Sequence, residues 1–212
     1  MISAVWWFYS LTGEPSAANR TELSGASHTA PQDTASQNTA RPNTKQQEGR
    51  VLTDFEEAAE GDRWRSVNDT VMGGISQSSF VVTSAGTGIF QGVTSLENNG
   101  GFSSVRRASD DVDFTGVEAI ALRVKGDGRL YQLRLRTDDA NGSISYRAEF
   151  ATRAGEWLTV RFALADFEPV FRGRVLTDVG AIAPSDIQQI GFLIADKQSG
   201  EFTLETDWIR IE

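Results

Sequence analysis

From Arg50 onward the chain is divided into short runs in which apolar and polar residues alternate, each run closed by a turn that carries glycine, asparagine or aspartate. No segment there has the length, caps and 3.6-residue period of an ordinary helix, so helices should be short at most. The stretch EAIALRVKGDGRLYQLRLRTDDANGSISYRAEFA, residues 118–151, shows the pattern most clearly. Ile120, Leu122 and Val124 share one face of a first strand, Tyr131, Leu133 and Leu135 of a second, and Ile144, Tyr146, Ala148 and Phe150 of a third. Asp127-Gly128 and Asn141-Gly142 provide hairpin chemistry between them, so a three-stranded meander is predicted. WLTVRFAL at 157–164 continues it with Leu158, Val160 and Phe162 inward, and 187–195 with 201–211 read as a final pair. Further strands are expected at 51–56, 75–83, 88–94 and 102–107. Nine or ten short antiparallel strands at this turn density define an all-β chain, a sandwich or jelly roll.

The first fifty residues follow other rules. Thr12 to Gly49 is dominated by Ser, Thr, Ala, Asn, Gln and Pro, which bury too little surface to offset chain entropy. The expected organisation is a disordered tail over 1–49 and one domain over 50–212. Residues 1–50 hold four acidic and four basic side chains, so the formal charge of −9 belongs entirely to residues 51–212. An acidic domain disfavours nonspecific nucleic-acid binding, which depends on neutralising phosphates. The longest apolar run, Ile2 to Leu11, is far short of the roughly 20 residues of a membrane-spanning helix. No basic residue precedes that run, as a secretory signal would require, and three arginines in residues 1–50 do not make a mitochondrial-type leader. Cysteine is absent, which fits a reducing compartment and favours a cytoplasmic setting; it also removes disulfides and thiolate metal sites. His28 is the only histidine and lies in the tail, so histidine-centred catalysis and metal binding have no candidates in the domain. No cofactor is expected and no metal ligands are identified, with a structural calcium, as in many sandwich domains, left open.

Two groups of residues are candidates for binding. The first is the polar side of the meander and of the strand after it. Arg123, Arg134, Arg136, Arg147 and Arg161 point away from the core face, with Trp157 beside Arg161. If the strands are neighbours, they form a basic stripe on an acidic domain, able to receive an anionic or sugar-like ligand or an acidic protein surface. Alternatively it is a solvated sheet face whose arginines pair with nearby carboxylates.

The second group lies in SVNDTVMGGISQSSF, residues 66–80, and in NNGGFSS, residues 98–104. Trp64 stands just before the first. Asn68 and Asp69 can fix a turn through backbone amides, and Gly73 and Gly74 allow conformations and close approach denied to other residues. Met72 is a flexible apolar plug that fills a gap or touches a partner. Asn99-Gly100 turns the second stretch and Phe102 anchors it. The pieces either shape loops or meet at a binding surface. VMGGIS has neither the spacing of a phosphate loop nor a helix after it. The carboxylates of Asp110, Asp111 and Asp113, and of Asp138 and Asp139, lack the spacing of a calcium loop.

These two stretches carry a resemblance. With Asp54-Phe55, Trp64, Val67-Asn68-Asp69, Val71-Met72-Gly73-Gly74 and Asn98 to Arg106, and echoes at Arg123 to Gly128, Phe167 to Arg172 and Ile190-Gly191-Phe192, the chain resembles the complex I intermediate-associated protein 30 family over about Leu52 to Ile211, in the form of a small bacterial-type member. The resemblance implies a galactose-binding-domain-like β-sandwich and a protein partner, an assembly intermediate or a membrane-enzyme subunit, since mitochondrial relatives act as assembly factors without recognised catalysis. Three readings follow: a non-catalytic interaction module of chaperone or assembly-factor type, a carbohydrate-binding module with a glycan ligand, and a hydrolase built on two facing carboxylates.

Overall fold

A computed structural model of the chain describes residues 49–137 and 144–212. The tail expected over 1–49 and the Asn141-Gly142 turn lie outside the described residues, Gly49 excepted.

Thirteen strands are present among the described residues, against the nine or ten expected, because several are only two to four residues long. They are β1 (Arg50–Thr53), β2 (Trp64–Ser66), β3 (Gln77–Val82), β4 (Gly88–Thr94), β5 (Ser103–Ala108), β6 (Ala119–Lys125), β7 (Leu130–Thr137), β8 (Ile144–Ala151), β9 (Trp157–Ala163), β10 (Glu168–Phe171), β11 (Arg174–Val175), β12 (Ile187–Ile194) and β13 (Gly200–Ile211). The helical segments are 3-10 turns of three to six residues. The strands make two antiparallel sheets. Sheet one runs β3-β4-β13-β6-β9, with β1 also on β13, and sheet two runs β11-β10-β8-β7-β12-β5-β2. The apolar faces meet in one core in which Phe90, Val105, Ile120, Leu122, Val124, Leu133, Leu135, Phe192, Ile194 and Leu204 are fully covered. This is the antiparallel sandwich, of jelly-roll type, expected from the alternation.

Each predicted core face of the central strands is correct, but the strand neighbours differ. β7 and β8 pair as expected, with Leu133 opposite Ala148. β6 does not join them: it lies in sheet one between β13 and β9, so the chain crosses from one sheet to the other at Asp127-Gly128. The Asp127 carboxylate accepts from the Tyr131 hydroxyl at 3.0 Å and the Thr203 amide at 2.8 Å, which ties the crossing to both sheets. Gly128, at φ +96, makes the corner. Likewise β12 and β13 are not a pair; β12 sits between β7 and β5, and β13 between β4 and β6. A period of two fixes which side of a strand is apolar, and it carries no information about which sheet the strand enters.

Candidate functional site

The crossing at Asp127 divides the basic stripe. Arg123, Trp157 and Arg161 lie on the outer face of sheet one, whereas Arg134, Arg136 and Arg147 lie on the outer face of sheet two. The sheet-one group is neutralised within itself. Arg123 bonds Asp207 at 2.5 Å, Lys125 bonds Glu205 at 2.5 Å, and Arg161 bonds Glu212 at 2.6 Å. Arg123 and Lys125 each stand 4.9 Å from the Trp157 ring centroid, so the indole is in contact with two cations that already have carboxylate partners.

Sheet two presents a different surface. Antiparallel registration places Arg65, Arg106, Gly191, Arg134 and Arg147 opposite one another in a single row across β2, β5, β12, β7 and β8. Gly191 puts no side chain into the middle of that row, and none would fit, since a Cβ there would come within 2.1 Å of the Val105 carbonyl oxygen. Arg147 is engaged at the outer end by Glu168 at 3.0 Å. Arg134 bonds neutral groups: its guanidinium donates to Gln132 Oε1 at 2.6 and 2.9 Å and to Ser145 Oγ at 2.7 Å. Arg106 has no hydrogen-bond or ion-pair partner among the described residues. Burial, then the guanidiniums of Arg136 and Arg65, depress Arg106 to about 10. Burial, then Arg147 and Arg136, depress Arg134 to about 10 as well. Cations crowded to this extent are stabilised by any anion that enters. Over them lies a groove of about 480 Å³, floored by Arg106, Arg134 and Arg136 and walled by Met72, Phe102, Phe171 and Leu193.

The two motif stretches build one wall of this groove, and the residue that joins them is Asp69. Its buried carboxylate accepts from the Ser76 amide at 3.0 Å, the Ser76 hydroxyl at 2.5 Å, the Gly101 amide at 2.7 Å and the Phe102 amide at 3.2 Å. Burial pushes its pKa up, but the bonds from Ser76, Gly101 and Phe102 outweigh that and hold the carboxyl below its ordinary range. The glycines follow from this hub. A Cβ on Gly74 would sit 2.4 Å from Asp69 Cγ, and one on Gly100 would sit 2.7 Å from Asp69 Oδ2. Gly73, at φ +92, ends the 3-10 turn over Asp69–Met72, and Asn99 takes the left-handed conformation at φ 58. Asn68 accepts from the Ser78 hydroxyl at 2.7 Å and the Ser104 amide at 3.4 Å, joining the same two loops. Outside this polar knot the loops project apolar side chains: Val71 is 72% exposed, Met72 59%, Ile75 49% and Leu96 47%.

Trp64, named with the binding residues, is a core residue. It stacks on Phe80 at 4.3 Å and on Phe192 at 5.8 Å, and its indole nitrogen donates to Glu60. Sequence reasoning missed Arg106 as the centre of the cationic row and Arg107 as a core residue. Arg107 is 1% exposed and forms paired bonds to Glu60 (2.6 and 3.2 Å) and Asp111 (2.9 and 3.0 Å). The signal was available in SSVRRA: adjacent residues of a strand face opposite ways, so one of two neighbouring arginines must enter the sandwich. Among the described residues no group of three or more His, Asp or Glu could hold a metal ion.

The fold and this face define a galactose-binding-like β-sandwich with a grooved outer sheet. Comparison with known proteins places it further. The family of Complex I intermediate-associated protein 30 (CIA30) matches residues 53–206, and the chain belongs to that family. It is 27% identical over 184 residues to the mitochondrial Complex I intermediate-associated protein 30 of Drosophila melanogaster, covering 76% of this chain and 62% of the relative. The Mus musculus protein of the same description is 26% identical over 185 residues, covering 78% and 56%. The chain therefore spans about three fifths of the length of these relatives. Among solved structures, a Family 11 Carbohydrate-Binding Module from Clostridium thermocellum, in complex with a β-1,3-1,4-mixed-linked tetrasaccharide, has the same fold at a TM-score of 0.59 and 18% identity, covering 76% of this chain and 94% of the module.

Proposed function

We propose that the chain is a non-catalytic protein-binding module of assembly-factor type, and that its contact surface is the outer face of sheet two together with the loops tied by Asp69. The observation that carries this reading is the exposure of Val71, Met72, Ile75 and Leu96 around the loops tied by Asp69, with Met72 lining the groove. Exposed apolar side chains on loops fixed by a buried carboxylate lose little freedom on docking, which is what an interaction surface requires. The names of the fly and mouse relatives support the same class of function. A glycan ligand is the second reading, favoured by the sandwich shared with the carbohydrate-binding module. The groove walls weigh against it: they contain phenylalanine, methionine and leucine but neither tryptophan nor tyrosine, the amphipathic rings that combine an apolar face with a polar handle.

The test is a photo-crosslinking residue placed at Met72 in the full chain, expressed in its own cells. A defined protein captured there, and lost when Arg134→Ala and Arg136→Ala are added, is the expected result. Absence of any specific capture, combined with a hit on a glycan array, would replace this reading with the second.

A further inference from the structure

The cationic row on sheet two is out of keeping with a domain of charge −9, and at its middle, Arg106 and Arg134, no carboxylate among the described residues is bonded to a guanidinium. Resting on the protein-binding reading above, we propose that Arg106 and Arg134, on either side of Gly191, form a cradle for the carboxylates of an acidic, extended segment of a protein partner whose intervening apolar side chains contact Met72, Phe102 and Phe171.

The geometry leads to this ligand by steps. The two arginine positions lie two strand spacings apart, roughly 9 to 10 Å. Between them Gly191 contributes no side chain, and a small cavity of about 30 Å³ lined by Arg106, Gly191 and Arg134 lies between the two arginine positions. Arg134 uses three of its donors on Gln132 and Ser145, both neutral, and the Arg106 guanidinium uses none on the described residues, so unspent donors remain on both, those of Arg134 oriented by its own bonds. Arg136 lies near enough to each to add to the field that lowers them. A bare phosphate would satisfy this floor but leave the apolar walls unused. An extended peptide in which acidic and apolar residues alternate satisfies both, because its side chains leave the backbone on opposite sides.

The experiment uses the full chain and a fluorescent decapeptide of alternating Glu and Leu, read by anisotropy, beside the same peptide with Gln for Glu and an oligogalacturonate. The Glu peptide should bind at least tenfold more tightly than the Gln peptide. In the Arg106→Gln/Arg134→Gln variant that difference should fall below twofold. Arg106→Gln alone, which removes no intramolecular bond, should lose part of it with the fold intact. Equal binding of the Glu and Gln peptides, binding of the oligogalacturonate alone, or no binding at all would each overturn the acidic-segment assignment. Protein capture at Met72 that persists in the face of such a result would leave the protein-binding function standing and show that the cradle alone was misassigned.

Discussion

At the scale of the residue, Asp69 does for the motif loops what a disulfide does in other small loops: it fixes two distant segments with one group. Four donors converge on a carboxylate that water does not reach, so its charge is balanced by the ends of N–H and O–H bonds alone. Asp69→Asn keeps the shape but turns one acceptor into a donor that faces other donors. It should cost roughly 1 to 3 kcal/mol in urea denaturation, with a loss of order in the loops. The pH dependence has a definite sign. A carboxyl whose folded pKa is depressed contributes its stability in full above its unfolded value, about 3.9, and loses it as pH falls through the lower folded value. The asparagine variant should therefore differ most from the parent at neutral pH, and the two should converge in acid. Arg107 carries the opposite lesson about buried charge. Its side chain is nearly fully buried between Glu60 and Asp111, both of which keep some access to solvent. Arg107→Ala opens a cavity and leaves Glu60 and Asp111 with only the half-exposed Arg63, at 3.8 and 3.1 Å, as cationic partner, and a loss of about 3 to 5 kcal/mol in thermal or chemical unfolding is expected.

At the scale of the element, the decisive feature is the row of outward arginines that antiparallel registration assembles from β2, β5, β7 and β8. Like charges opposed across strands are destabilising by a few tenths to 1 kcal/mol per pair. Arg106 has no bond of its own to lose, so Arg106→Gln should leave the melting temperature unchanged or raise it by about 2 to 4 °C at low salt, the effect of up to about 1 kcal/mol in a domain of this size. Added salt should shrink the gain. A fall in melting temperature would mean that the guanidinium is bonded within the fold. This row explains why the site was only partly readable from the sequence. Alternation in LYQLRLRT places Arg134 and Arg136 outside without ambiguity, and VMGG with NNGGFSS marks the two loops. Which arginines become neighbours depends on sheet membership, and the Asp127-Gly128 dipeptide is equally suited to a hairpin and to a crossing between sheets. The hub role of Asp69 was hidden for a related reason: its partners are 32 and 33 residues away, beyond the reach of any turn rule.

At the scale of the whole molecule, the two outer faces share a core and differ in electrical state. Sheet one is organised around β13, which contacts β1, β4 and β6 along its twelve residues and carries Phe202, Leu204, Ile209 and Ile211 into the interior. Of its outer cations, Arg123, Lys125 and Arg161 are each matched to a carboxylate, and Arg210 lies over the Trp208 ring, 4.3 Å from its centroid. Sheet two keeps a cationic centre. The sheets lie about 10 Å apart and the charged ends reach outward from each, so the two sets of solvent-facing charges are separated by well over the screening length of roughly 8 Å at physiological salt, and each face responds to ligands largely independently of the other. That separation is testable with paired variants in the decapeptide assay. Arg134→Ala/Arg136→Ala should weaken binding of the Glu peptide at least tenfold. Arg123→Ala/Arg161→Ala, which removes the same formal charge from the opposite sheet, should change it by less than twofold at 150 mM salt. Equal losses from the two pairs would mean that the acidic peptide responds to net charge and not to the groove. Loss from the sheet-one pair alone would transfer the contact surface to the face around Trp157.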